Sequence, residues 1–123
     1  MRIRPEKVAH LMRREVADIL ERRLRDPRLP SMISVTDVQV TPDLAFARIF
    51  VMVHGGDAER AATMEGLKHA AGFVRRELGN RLSLREVPEI RFLYDDSLER
   101  GARVDELLKR LERGEPIGDD DPE

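Results

Sequence analysis

Leu44-Ala45-Phe46-Ala47-Arg48-Ile49-Phe50-Val51-Met52-Val53 is the stretch whose reading decides the fold. Its side chains alternate with period two. Ala45, Ala47, Ile49, Val51 and Val53 share one face, and Leu44, Phe46, Arg48, Phe50 and Met52 share the other. That alternation predicts a strand with one buried face. The small alanines suit helices packed closely against it. The opposite face sets Arg48 between two phenylalanines, an arrangement that either stacks nucleobases or meets another apolar surface.

Upstream, Ile33 and Val35 alternate and then Val38 and Val40 alternate on the opposite parity, so a second strand is predicted with a β-bulge near Thr36 and Asp37. Thr41-Pro42-Asp43 reads as the turn between the two strands. Further upstream, Val8, Leu11, Met12, Val16, Ile19, Leu20 and Leu24 recur at helical spacing and predict an amphipathic helix over 6–24, with Pro5 suited to its first turn. Asp26-Pro27-Arg28-Leu29-Pro30 ends it, because proline cannot donate to a helical ladder. Arg14 with Asp18 and Glu21 with Arg25 are spaced for local ion pairs on its charged face.

Downstream, His54-Gly55-Gly56 is a loop and Asp57 a candidate N-cap. A helix then carries Ala61, Ala62, Met64, Leu67 and Ala70 or Ala71 inward, and the pattern resumes at Phe73, Val74, Leu78 and Leu82. Gly72 lies between the two pieces. A break there is expected, since glycine in a helix interior costs about 1 kcal/mol relative to alanine; the alternative is one gently bent helix. After the connection Leu84-Arg85-Glu86-Val87-Pro88, a third strand spans 89–94. Ser97 or Asp96 caps a last helix whose Val104, Leu107, Leu108 and Leu111 are spaced to pack, with Asp105–Lys109 and Glu106–Arg110 pairs outside.

With 41% hydrophobic and 37% charged residues among 123, the chain has the composition of one soluble domain. No apolar run approaches the roughly 18 residues of a membrane span, and no signal peptide is apparent, so a cytoplasmic location is expected. Without cysteine there is no disulfide, thiolate nucleophile or cysteine-based metal site. The net charge of −2 hides an asymmetry: residues 1–111 hold 21 bases and 18 acids, and the rest holds six acids and one base. Residues 1–112 are therefore read as the folded domain and 113–123 as a disordered acidic tail.

The order of helix, strand, strand, broken helix pair, strand and helix makes an α+β domain with a three-stranded sheet and helices on one face. KH domains clamp single-stranded nucleic acid with a Gly-x-x-Gly loop between two helices. This chain lacks that loop and has Ala70-Ala71-Gly72 at the corresponding junction. It resembles the ribosome-binding factor A family there, and also in Arg4-Pro5-Glu6-Lys7-Val8, Asp43-Leu44-Ala45-Phe46-Ala47, Ala70-Ala71-Gly72-Phe73-Val74-Arg75, Leu84-Arg85-Glu86-Val87-Pro88-Glu89-Ile90-Arg91-Phe92 and Tyr94-Asp95-Asp96-Ser97.

The resemblance implies a KH-like, type II-like fold with an interhelical kink at Ala70 and Gly72. It also implies a cytoplasmic, monomeric factor that binds the free 30S small ribosomal subunit and its 16S rRNA, assists late maturation and rRNA processing, and supports growth in the cold.

For such a factor, phosphate contacts would come from cations. The candidates are Arg2, Arg4, Lys7, Arg13, Arg14, Arg48, Arg75, Arg76, Arg81 and Arg85, arginine being suited by its bidentate fork. Gly72 serves close helix packing, a phosphate at a new helix amino terminus, or both. No nucleophile with its base, phosphate loop or metal-ligand spacing is present; His10, His54 and His69 are scattered, and the Asp95-Asp96 pair points two ways. An enzyme, a metal site, a cofactor and a small-molecule substrate are therefore not expected. The competing reading is a protein-binding adaptor that uses the Phe46, Phe50 and Met52 face and the last helix.

Overall fold

The alternating run forms the middle strand of the sheet, and the rest of the chain is arranged around it. The computed structural model describes residues 4–23, 32–84 and 86–114. Over these residues the chain forms α1 (Pro5–Asp18), a π-helical turn (Ile19–Arg23), β1 (Ile33–Val40), β2 (Phe46–Val53), α2 (Asp57–Arg81), β3 (Glu89–Tyr94) and α3 (Ser97–Glu112). The sheet order is β1-β2-β3. β1 runs antiparallel to β2, and β3 lies parallel to β2. The fold is α+β, three helices with a mixed three-stranded sheet.

The inner face of β2 is buried as its alternation predicts: Ala47, Ile49 and Val51 are fully covered and Val53 nearly so. They meet Val8, Met12, Val16 and Ile19 from the first helix and its π-helical extension, and Leu67, Val74 and Leu78 from α2, in one apolar cluster that includes Ile90 of β3. Each of the Val, Leu, Ile and Met side chains among them contributes about 1.5–3 kcal/mol by leaving water. The bulge also forms. The register slips between Val35 and Asp37, and the extra residue, Thr36, turns its hydroxyl to the Phe50 carbonyl (3.3 Å) and the Asp95 carboxylate (2.5 Å).

Other expectations are corrected. β2 begins at Phe46, not Leu44. Leu44 sits in the turn at φ 61°, where the Asp43 carboxylate accepts the Thr41 hydroxyl and the Ala45 amide. The first helix is α-helical only to Asp18 and continues as the π-helical turn, and Leu11 is exposed. Asp57 is the first residue of α2 and pairs with Arg60 at 2.8 Å, so it does not cap the helix. Asp95, one position before the α3 N-cap Asp96, accepts the Ser97 amide at 2.9 Å.

Two larger differences concern the helices. α2 passes through Gly72 as one 25-residue helix, so the predicted break into two helices does not form. A single glycine weakens a helix without removing a hydrogen bond, and burial of Ala70 and Val74 on either side anchors this one to the sheet. α3 has the predicted apolar stripe but buries none of its residues, with Val104, Leu108 and Leu111 each more than half exposed. Helical spacing reports a stripe; it does not report what covers it. The helices on the covered face are thus α1 and α2. The turn proposed at 26–30 and the acidic tail beyond Gly114 lie outside the described residues.

Candidate RNA interface

The candidate cations fall into three places. Arg4, Lys7, Arg13 and Arg14 lie at the start and along the exposed side of α1, with no carboxylate partner among the described residues. Arg13 and His10 border a cleft of about 400 Å³ between α1 and β1, which also contains Glu6 and Asp37. This is one edge of the sheet.

At the other edge, a groove of about 640 Å³ runs between α2 and β3. It is lined by Ala61, Met64, Lys68 and Ala71 from the helix and by Ile90, Arg91, Phe92 and Leu93 from the strand, with Glu65 and Glu89 also present. β3 is an edge strand, so peptide groups pointing away from β2 have no strand beyond them. Lys68 and Arg91 have no ion-pair or hydrogen-bond partner among the described residues, whereas Glu65 is paired with His69 at 3.2 Å. The groove joins mostly apolar walls to two unneutralised cations.

Arg76 extends this patch along α2. Gly72 precedes it by one turn and is exposed, and a Cβ there would have only the Arg76 Nη1 as a neighbour, at 3.9 Å. Gly72 therefore makes no close helix packing in this structure. Nor does it start a helix, which removes the predicted phosphate site at a new amino terminus. What it leaves is a stretch of bare helix backbone beside Lys68 and Arg76.

Arg48 projects from the face of β2 that no helix covers, in register with Arg91 on β3. Like charges placed opposite on neighbouring strands repel. Here neither arginine has a carboxylate partner among the described residues. Phe46 (42% exposed) and Leu93 (37%) lie on the same uncovered face. Lys68 and Arg91 thus line the groove, Arg48 lies beside Arg91 on the uncovered face of the middle strand, and Arg76 lies about two turns from Lys68 on α2; the sequence suggested only Arg48 and Arg76 of these four.

Two candidates have structural work. Arg81 reaches Glu15 at 3.0 Å and Asp18 at 2.6 Å, tying α2 to α1, and its guanidinium holds the Asp18 carboxyl below the ordinary range. Arg75 donates through Nε (3.2 Å) and Nη2 (2.9 Å) to the Val87 carbonyl, bracing the connection into β3. Arg2 and Arg85 lie outside the described residues. His10, His54 and His69 are all exposed. Lys68 and Arg91 escaped the sequence reading; Arg91 carried a weak signal, an outward parity on the third strand, but its register with Arg48 required the sheet.

With this geometry in place, the comparison with known proteins is specific. A family model described as ribosome-binding factor A matches residues 4–108. The chain belongs to the ribosome-binding factor A family. Ribosome-binding factor A of Acetivibrio thermocellus is 46% identical over 120 residues, covering 98% of this chain and 97% of that protein. The Microcystis aeruginosa protein is 48% identical over 121 residues, covering 98% and 94%. Among solved structures, the crystal structure of Thermus thermophilus ribosome-binding factor A superposes with a TM-score of 0.65 at 21% identity, covering 73% of this chain and 93% of that one. A homology model of the Thermus thermophilus protein, fitted into a cryo-EM map of a 30S complex, gives 0.58 at 24% identity, covering 72% and 96%. At these identities the two structures establish a shared fold. This ribosome-binding factor A family member thus carries Ala70-Ala71-Gly72 inside one continuous helix. No helix among its described residues is long and apolar enough to cross a membrane.

Proposed function

We propose that the protein binds the free 30S ribosomal subunit as a monomer in the cytoplasm, through 16S rRNA, and assists late subunit maturation and rRNA processing, including in the cold. The observation that carries the proposal is the groove lined by the unpaired cations Lys68 and Arg91, with Arg48 in register with Arg91 and Arg76 further along α2, in a chain of the ribosome-binding factor A family. The Thermus thermophilus relative fitted into a 30S complex supports the choice of partner.

Single-stranded or splayed nucleotides would lay bases on the Met64, Phe92 and Leu93 walls while phosphates meet the cations and the bare backbone at Gly72. Arg4, Lys7, Arg13 and Arg14 would contact a separate RNA segment from the opposite edge. Affinity then rests on counterion release, and specificity on the shape of the folded subunit RNA. No catalytic step is assigned to any residue.

The test is co-sedimentation with purified small subunits across a salt series, for the parent and for a variant with Arg76→Ala and Arg91→Ala. These positions spare the braces made by Arg75 and Arg81. The parent should bind at low salt with steep salt dependence. The double variant should bind more weakly, with the slope of log K against log salt made shallower by about 0.7 for each phosphate left without its cation. A folded parent that fails to bind at low salt would refute the proposal. Salt-insensitive binding would instead favour the adaptor reading, for which the exposed stripe of α3 is the supporting observation.

A further inference from the structure

The first turn of α3 is fastened to α2 and the sheet. Arg60 of α2 pairs with Glu99 at 2.7 Å and lies 4.5 Å above the Tyr94 ring, while the Tyr94 hydroxyl donates to the same Glu99 carboxylate at 3.1 Å. Asp95 holds the Ser97 amide and the Thr36 hydroxyl. These contacts fix the first turn, Ser97–Arg100. Beyond it comes Gly101, where an added Cβ would meet nothing within 4 Å, and then the stripe of Val104 (52% exposed), Leu108 (52%) and Leu111 (54%).

The fastened turn stands at the end of the α2–β3 groove. Ala61 and Leu93, which line the groove, adjoin Arg60 and Tyr94 in the chain. The 11 residues from Ala102 to Glu112 make a helix about 16 Å long, against about 20 Å for the six residues of β3. By helical position, Asp105 and Glu112 border one side of the apolar stripe, and neither is paired among the described residues. The groove in turn holds apolar walls, the unpaired cations Lys68 and Arg91, and two acids, Glu65, which is paired with His69, and Glu89.

We infer that α3 beyond Gly101 is a strap that, in the RNA-free protein, exchanges between the uncovered position of this structure and one folded over the α2–β3 groove. In the folded-over position Val104, Leu108 and Leu111 cover Met64, Phe92 and Leu93, and Asp105 and Glu112 approach Lys68 and Arg91. Gly101 is the hinge: unlike Gly72, it has no buried neighbours to hold the helix straight, so its low helix propensity is not overridden by packing. Strap and RNA compete for the groove. The competition rests on the RNA-binding proposal above, whereas the closure does not.

The chain has no cysteine, so spin labels can be placed at Ala62→Cys and Lys109→Cys without other changes. In the free full-length protein, pulsed dipolar spectroscopy should show a short-distance population. Leu108→Gln with Leu111→Gln should remove it, Gly101→Ala should reduce the closed-to-open ratio about fivefold, and saturating small subunits should empty it. A strap closed three-quarters of the time also predicts about fourfold tighter subunit binding by the Leu108→Gln, Leu111→Gln protein, a pair that adds no charge.

One unchanging distance in parent and variants overturns the strap. So does a short distance found only between singly labelled copies after mixing, which would place α3 on a second copy. A short population that persists with subunits bound overturns the competition. Failure of the parent to bind subunits overturns the RNA-binding proposal and leaves the distance measurement to decide closure alone.

Discussion

Gly72→Ala separates the role of this position in the fold from its role in binding. In a helix interior alanine is favoured over glycine by about 0.8–1.0 kcal/mol. The added methyl group meets only Arg76 Nη1 at 3.9 Å, an ordinary contact with a flexible side chain, and α2 is continuous through the site. The full gain should therefore appear: about 1 kcal/mol of added stability, raising the melting temperature by roughly 4 °C for a domain of this size. Urea denaturation followed by circular dichroism measures it, with the slope unchanged. Gly79→Ala is the control, because its methyl group would lie 3.3 Å from Val87 Cγ2 and part of the gain should be cancelled by that crowding. In the co-sedimentation assay the more stable Gly72→Ala protein should bind small subunits less tightly, since the methyl group covers backbone between Lys68 and Arg76. A destabilised Gly72→Ala protein would refute the reasoning, for it would mean that α2 needs glycine to bend. Added stability with unchanged binding would remove RNA from this stretch of backbone.

Ile49→Ala, at a fully buried position in the middle of the central strand, should cost about 2–5 kcal/mol, read as a lower urea midpoint. Asp95 is held below the ordinary carboxylate value first by the Thr36 hydroxyl and then by the Ser97 amide. Its contribution to stability is therefore present above about pH 4, the unfolded value, and is lost as pH falls through the folded value. Thr36→Val should raise the Asp95 value in an NMR titration and lower stability at pH 7, and the gap between parent and variant should narrow in acid; a gap that widens in acid would contradict the assignment.

The sheet was legible because its signals are local. Alternation along 46–53 assigns the buried face residue by residue, though not at Ala45, which is exposed and precedes the strand, and the parity change after Val35 marks the bulge. The beginning of β2 was less legible, because Leu44 continues the apolar alternation while Asp43 and Thr41 bind the backbone of a turn around it. Gly72 misled for a related reason: propensity assigns it a cost, and only the buried anchors Ala70 and Val74 show that the cost is met.

The site divides in the same way. The sequence alone determined that the chain is an α+β domain rich in arginine, with two amphipathic terminal helices and an aromatic-flanked Arg48, since these follow from period and charge. It could not sort the arginines. Arg81 and Arg76 are the same residue type five positions apart on one helix, yet Arg81 meets Glu15 and Asp18 across the helix interface while Arg76 meets no acid among the described residues. Tertiary structure decided that, as it decided that Arg48 and Arg91 lie side by side and that α3 stands uncovered. The physical reason is that ion pairing and burial depend on neighbours distant in the chain, whereas strand and helix periods are written in adjacent residues.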